Sequence, residues 1–175
     1  MRIFLVAGKS GSGKGEIAKF IKEYYIYKLE DCAITSYSKY IKNFAKDLTD
    51  WDGSENNKPR DFMQKIGDEI RRMDQYYFTS NMIKDINIMA NYVKNVVVAD
   101  VRMPEEIEEI RNNFDDVYAI YVVNNYAPSR LSVEQQAHIT ETALENYDDF
   151  DYIIANDGSL ENLKDKIFKY LESIK

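Results

Sequence analysis

IFLVAGKSGSGKGEIAKF, residues 3–20, joins a short apolar run, a glycine-rich turn and the start of a helical pattern. A strand, such a turn and a helix together form the setting in which main-chain N–H groups bind phosphate at the positive end of the helix. Glycines let these N–H groups point inward, and Lys14 adds a positive charge beside the β- and γ-phosphates. The stretch predicts a nucleoside triphosphate site; the alternative is a glycine-rich turn without a ligand. The predicted loop consists of Gly8, Lys9, Ser10, Gly11, Ser12, Gly13, Lys14, Gly15 and Glu16.

The composition is that of a globular chain with a net negative charge. Its 175 residues are 45% apolar, enough for one domain with a substantial core. The net charge of −7 disfavours a nucleic-acid groove, because affinity for nucleic acid comes largely from neutralised phosphates. Cys32 is the single cysteine, which fits a reducing cytoplasm, and no apolar run has the length of a membrane span or the form of a targeting segment. We therefore expect a cytoplasmic protein with small-molecule partners, no nucleic acid and no membrane; a homodimer stays open.

Predicted strands alternate with predicted helices along the chain. This alternation indicates a three-layer parallel α/β domain with its site at the carboxyl ends of the strands. Together with the phosphate loop it predicts the α/β/α fold of P-loop NTPases, with a five-stranded, mostly parallel sheet and a small lid. The predicted strands cover about 2–7, 32–35, 96–99, 117–123 and 151–155, and the predicted helices about 14–29, 37–48, 59–73, 75–93, one that begins at Pro104, a capping box at Ser132 and one capped by Ser159.

Helical periodicity also predicts which residues two of these helices bury. The second helix aligns Tyr40, Ile41, Phe44 and Leu48, and the last helix aligns Leu160, Leu163, Ile167 and Leu171.

Polar residues beyond the loop form a candidate acceptor site. Arg60, Gln64 and Arg71 fall near one helical face, where they could hold a phosphate and a base edge; the alternative is a solvated charged face. Asp100 ends a buried strand, as does the acid that organises Mg²⁺ or its waters in phosphate-loop enzymes. Arg102 could clamp the acceptor phosphate, or it could pair with Asp100 in the loop.

A candidate lid spans about residues 124–141 and contains Arg130, His138 and Glu141. Such a segment closes over phosphates and excludes water. A lone histidine is more often structural than catalytic, so both roles stay open for His138. Asn156 follows the last predicted strand, where an adenine ring could be held, although a simple turn would explain it equally well.

Together these motifs resemble the phage-type deoxynucleoside monophosphate kinases. This family belongs to a group of P-loop kinases that includes phosphomevalonate kinase and dephospho-coenzyme A kinase. The resemblance implies that Lys14 and the loop amides bind ATP and that Arg130 contacts the migrating phosphoryl group. Arg60, Gln64 and Arg102 would then bind the acceptor. The motifs are Gly8 to Lys14; Arg60-x-x-x-Gln64-x-x-Gly67; Asp100-Val101-Arg102 with Pro104-Glu105-Glu106; His138-Ile139-Thr140-Glu141; and Asn156-Asp157-Gly158.

Two features depart from the family pattern. The predicted lid has one arginine, Arg130, and no lysine between Asn124 and His138, and the second departure lies directly after the loop lysine. Gly15-Glu16 follows the loop lysine, where the family tends to carry an acid and then Ser or Thr. A hydroxyl ligand for Mg²⁺ is therefore missing there, and the ion would depend on phosphates, water and Asp100 or Glu16.

The predicted reaction is ATP-dependent phosphoryl transfer to a nucleoside or deoxynucleoside monophosphate, giving the diphosphate. A monophosphate has a second pKa of about 6, so its attacking oxygen needs no strong base at neutral pH. Residues 1–175 would form one kinase domain, with acceptor-binding helices at about 36–94 and the lid at about 124–141. Two alternatives stay open: a kinase of another small phosphorylated acceptor (dephospho-coenzyme A or phosphomevalonate type), and a non-catalytic ATP-binding module.

Overall fold

A five-stranded parallel sheet forms the middle layer of the computed structural model, which describes residues 1–126 and 131–174. All five strands occur where the sequence predicts them, and every pairing between them is parallel, not merely most of them. The strands are β1 (Arg2–Ala7), β2 (Cys32–Thr35), β3 (Asn95–Val101), β4 (Val117–Val123) and β5 (Tyr152–Ala155). Their order in the sheet is β2-β3-β1-β4-β5, which puts β1 and its following loop in the centre.

Helices cover both faces of this sheet. They are α1 (Lys14–Tyr27), α2 (Lys39–Leu48), α3 (Arg60–Met73), α4 (Tyr77–Met89), α5 (Pro104–Asn113), α6 (Val133–Gln136), α7 (Ile139–Thr142) and α8 (Leu160–Ser173). Within residues 1–126 and 131–174, none has the length and apolarity needed to cross a lipid bilayer.

Alternation along β1 divides the apolar core into two layers. Ile3 and Leu5 pack with residues of α4 and α5, whereas Phe4 and Val6 pack with residues of α1 and α8. Successive side chains of a strand point to opposite faces, so a strand covered on both sides is apolar at every position. The run from Ile3 to Ala7 is fully buried for this reason.

Two helix starts are as predicted. The Ser159 side chain accepts a hydrogen bond from the N–H of Asn162 at the start of α8, and Ser132 forms a capping box with Gln135 at the start of α6. The first helix ends at Tyr27, two residues earlier than predicted, and Leu29 beyond it has a left-handed φ of 58°. This conformation does not continue a right-handed helix.

The predicted apolar faces of α2 and α8 are partly wrong. Ile41 and Ala45 are buried in α2, but Phe44 is 44% and Leu48 65% exposed. This helix packs mainly against α3 and not against the sheet, so only a narrow side of it is covered. Leu160, the first residue of α8, is 60% exposed, whereas the other three predicted residues of that helix are buried.

The contrast along α8 gives a stability prediction. Leu163 is 1% exposed and Leu160 is 60% exposed, so the same Leu→Ala change removes a packed side chain at one position and a solvated one at the other. We expect Leu163→Ala to lower the free energy of unfolding by about 3 kcal/mol, because it leaves a cavity in the core. Leu160→Ala should cost less than about 1 kcal/mol. Urea unfolding of both variants measures the difference, and equal losses would contradict this assignment of the core.

Candidate functional site

The phosphate loop follows β1 and depends on glycine at two positions. Gly8 has φ 141°, and a Cβ there would lie 2.5 Å from the carbonyl oxygen of Val122. Gly13 has φ 105°, immediately before α1, and a Cβ there would lie 2.5 Å from Nδ2 of Asn156. A side chain at either position would therefore require both an unfavourable backbone conformation and displacement of a neighbour.

Lys14 is buried inside this loop. Its Nζ atom donates hydrogen bonds to the carbonyl oxygens of Gly8 and Lys9, at 2.7 Å each. Burial is the main cause that lowers the pKa of Lys14 to about 7, and the nearby charge of Arg102 contributes to the same shift. The ammonium group is thus held at the centre of the loop, in a setting that favours proton release.

Asn156 supports the loop from the end of β5. Its Nδ2 atom donates a hydrogen bond to the carbonyl oxygen of Ser12 at 2.9 Å. The predicted adenine-binding residue thus contacts the backbone of the loop.

A cavity of about 700 Å³ extends from this loop to α3. It brings together residues from the ends of β1 and β3, from α3 and from the predicted lid. The predicted site residues that line it are Ser10, Gly11, Gly13, Lys14, Gly15, Glu16, Arg60, Gln64, Arg71, Asp100, Arg102 and Glu141.

Asp100 joins the end of β3 to the start of α2. Its Oδ1 atom accepts a hydrogen bond from the N–H of Tyr37 at 2.7 Å, and Oδ2 accepts one from the N–H of Ser38 at 3.0 Å. A carboxylate at the start of a helix satisfies N–H groups that have no partner within the helix. The alternative prediction was an ion pair between Asp100 and Arg102. Among the described residues, Asp100 instead bonds to these two N–H groups.

Arg102 is in direct contact with Glu141, a residue of the predicted lid. The Nη1 atom of Arg102 lies 2.6 Å from Oε1 of Glu141, and the other oxygen, Oε2, accepts a hydrogen bond from the N–H of Ser10 at 2.8 Å. The carboxylate of Glu141 therefore bridges Arg102 and the phosphate loop.

Sequence reasoning missed the role of Glu106, which organises the arginines. Its Oε2 atom accepts hydrogen bonds from the N–H groups of Arg102 at 2.7 Å and Met103 at 3.2 Å. Its Oε1 atom lies 3.9 Å from Nη2 of Arg71, whose guanidinium lies 4.9 Å from the centre of the Phe78 ring. Burial raises the pKa of Glu106 to about 7. The sequence signal was its position in the first turn after Pro104, where the helix dipole alone is enough to explain an acid.

Glu55 and Lys58, which lie between α2 and α3, were also missed as residues of the site. Glu55 lies 3.0 Å from Nη2 of Arg60 and 2.9 Å from Nζ of Lys58, and all three side chains line the cavity. The signal was the Lys58-Pro59-Arg60 run directly before the helix.

The segment predicted to be a lid contacts α3 at three points. The Nε2 atom of His138 lies 2.9 Å from Oδ2 of Asp68, and Gln135 donates a hydrogen bond to Oδ1 of Asp61 at 2.6 Å. Gln64 donates to the carbonyl oxygen of Gln135 at 3.4 Å. Nδ1 of His138 also accepts a hydrogen bond from the N–H of Thr140, which caps α7. Arg130, the predicted phosphoryl contact, lies outside the described residues.

Known proteins are similar to this chain in sequence and in fold. The sequence model of a family described as deoxynucleotide monophosphate kinase matches residues 28–167. The uncharacterized protein ORF77 of Ictalurid herpesvirus 1 (strain Auburn) is 30% identical over 169 residues, which are 94% of this chain and 68% of that protein.

Solved structures of kinases share the fold. An unliganded sugar kinase from Janibacter sp. HTCC2649 has a TM-score of 0.61 at 13% identity, with 99% of this chain and 96% of that one covered. An APS kinase from Mycobacterium tuberculosis, in complex with AMPPNP and APS, has a TM-score of 0.58 at 13% identity, with 98% of each chain covered. The prediction of a P-loop NTPase fold is confirmed.

The buried carboxyl of Glu106 makes stability depend on pH. Its pKa in the folded protein, about 7, exceeds the ordinary value of 4.5. Between these values the folded protein holds a proton that the unfolded chain has released, so this group's contribution to stability falls as the pH rises through that window. We expect Glu106→Gln to remove about 3 kcal/mol of this pH dependence.

Urea unfolding at about pH 5 and about pH 8 measures this effect. Glu105→Gln is the matched control on the same helix turn and should keep the wild-type pH dependence. The same pH dependence in both variants would contradict the assignment.

Proposed function

Because the chain belongs to the deoxynucleotide monophosphate kinase family, we propose that it transfers the γ-phosphoryl group of ATP to a nucleoside or deoxynucleoside monophosphate. Family membership and the P-loop kinase fold support phosphoryl transfer. The observation that carries the choice of acceptor is the shared cavity: the phosphate loop and the side chains of Arg60, Arg71 and Arg102 line the same space. Two phosphate-bearing ligands can thus meet there.

The triphosphate binds at the loop in this proposal. Lys14 supplies the charge, and the loop N–H groups at the start of α1 supply hydrogen bonds to phosphate oxygens. The N–H of Ser10 already donates to a carboxylate at 2.8 Å, which supports an anion at this position.

The acceptor phosphate binds on the α3 side of the cavity. Arg60 and Lys58 are held there by Glu55, and Arg71 is held between Phe78 and Glu106. Arginine offers a planar fork of donors that matches phosphate oxygens in pairs. Gln64, on the same helix, is then available to a polar edge of the acceptor. Arg102 pairs with Glu141, which bonds to the phosphate loop, and it would contact the acceptor phosphate beside the group being transferred.

The residues fit Mg²⁺ in a position held mainly by phosphate oxygens and water. Each oxygen of Asp100 accepts one N–H hydrogen bond and can accept another from a metal-bound water. Glu16 lies 2.7 Å from Nζ of Lys19, nearer the surface. Among residues 1–126 and 131–174, no three His, Cys, Asp or Glu side chains cluster as metal ligands. The bound ion would neutralise phosphate charge between the two ligands.

The chemistry that remains for the protein is alignment and charge compensation. A monophosphate oxygen is already anionic at neutral pH, so no general base is required. Two negatively charged groups must be brought in line, and the lysine and arginines of the cavity offset their repulsion. The lid contacts α3 through His138 and Gln135, so acceptor binding on α3 and lid closure are connected.

A panel of acceptors tests the proposal. The common nucleoside and deoxynucleoside monophosphates are each incubated with ATP and Mg²⁺, and ADP formation is followed by a coupled assay. We expect turnover of at least one nucleotide, and we expect Arg102→Ala to lower its kcat/KM by about 100-fold or more. Arg72→Ala is the control: this α3 arginine is 73% exposed, pairs with Glu69 and should keep wild-type turnover.

Two outcomes would contradict the proposal. Turnover of non-nucleotide phosphorylated acceptors alone would indicate a kinase of another class, and ATP binding without turnover of any acceptor would indicate a non-catalytic module.

The low pKa of Lys14 predicts a proton linked to ATP binding. With a pKa of about 7, the group is mostly neutral at about pH 8 in the ligand-free protein. A triphosphate favours its charged form, so binding should take up as much as about one proton at that pH and less at about pH 6. Calorimetry in buffers of different ionisation enthalpy measures the uptake. Equal values at the two pH values would contradict the prediction.

A further inference from the structure

The carboxylate of Glu141 occupies an anion position on the phosphate loop. The side chain is 9% exposed, with one oxygen 2.8 Å from the N–H nitrogen of Ser10 and the other 2.6 Å from Nη1 of Arg102. Both partners are donors that the proposed function assigns to phosphates. A carboxylate can substitute for a phosphate here because both are anions that accept paired hydrogen bonds.

The surrounding charges support this view. Lys14 and Lys9 both lie within electrostatic reach of Glu141. Its negative charge opposes the burial that lowers the pKa of Lys14, and it adds to the effect of Glu145, the main cause of the raised pKa of Lys9. Asp100, the other acid that acts on Lys14, is already bonded to N–H groups of α2. Lys9 is itself paired with Glu145. The acid that both touches the loop and holds Arg102 is therefore Glu141.

A bound triphosphate and this carboxylate compete for the same donors. The N–H of Ser10 has one hydrogen, and two anions that lie close together at a partly buried position repel each other. The carboxylate of Glu141, 2.6 Å from Nη1 of Arg102, likewise offsets the guanidinium charge that would attract a phosphate. We propose that Glu141 is a positioning residue that holds Ser10 and Arg102 while the loop is free and releases both when the triphosphate binds.

This inference rests on the proposed function and adds an order to it. The triphosphate displaces Glu141 and thereby frees Arg102, so the acceptor phosphate gains a partner only after the triphosphate is present. Glu141 lies on α7, which His138 caps and ties to Asp68 on α3. Its displacement is therefore transmitted to the helix that carries the acceptor-binding residues. Binding of the two ligands becomes mutually favourable.

Calorimetry tests this coupling. The probes are AMPPNP, which is not turned over, and the monophosphate with the highest turnover in the panel, each titrated alone and in the presence of the other. In the wild type we expect AMPPNP to tighten monophosphate binding by about tenfold. In Glu141→Gln we expect AMPPNP alone to bind about tenfold tighter than in the wild type, and the coupling to disappear.

Glu134→Gln is the matched control. Glu134 is an exposed acid of the same segment whose carboxylate accepts a hydrogen bond from Ser132. This variant should bind both probes as the wild type does. Thermal unfolding of each variant shows whether it is folded. The coupling in the wild type is measured without any substitution. Its absence would therefore overturn the inference even if Glu141→Gln does not fold.

The outcomes separate this inference from the function on which it rests. Absence of coupling in a wild type that turns over nucleotides would overturn the inference alone. Weaker AMPPNP binding in Glu141→Gln would also overturn it, because the carboxylate would then support the bound triphosphate. A wild type that neither binds AMPPNP nor turns over any monophosphate would overturn both.

Discussion

The buried ammonium group of Lys14 holds the phosphate loop in shape. It satisfies the carbonyl oxygens of Gly8 and Lys9, while the N–H of Ser10 donates to an anion, the carboxylate of Glu141. Burying a positive charge is costly unless opposite charge lies close by. The carboxylates of Glu141 and Asp100 supply that charge, and both oppose the lowering of the Lys14 pKa by burial. The rest of the site is arranged around this requirement for negative charge.

The cations on the proposed acceptor side are also paired with carboxylates. Arg60 and Lys58 share Glu55, whereas Arg71 lies near the buried Glu106. Each carboxylate offsets the mutual repulsion of neighbouring cations in the ligand-free site and holds their side chains in place. Phosphates bring the same kind of charge, so a bound acceptor would meet cations that these carboxylates already hold in position. The cost of assembling a cationic pocket is thus met before any ligand arrives.

Local sequence patterns predicted the fold and the family. Contacts between residues far apart in the sequence could not be predicted in this way. The loop, all five strands and the helix starts at Ser132 and Ser159 are determined by neighbours along the chain, and the resemblance to deoxynucleoside monophosphate kinases was confirmed. The contact of Glu141 with the loop joins residues far apart in sequence, which no local pattern encodes. The exposure of Phe44 depends on which neighbour α2 packs against, a matter of tertiary structure.

The contact of Asn156 with the loop ties nucleotide binding to the far edge of the sheet. Its amide group holds the carbonyl oxygen of Ser12 and fills the space beside Gly13. The residue that follows the last strand therefore supports one side of the phosphate loop. Loss of this contact would remove a hydrogen bond that supports the loop. A substitution in β5 or just after it would then weaken affinity for nucleotide, although the substituted residue does not contact the ligand. The C-terminal part of the chain thus contributes to nucleotide binding by supporting the loop and not by contacting the ligand.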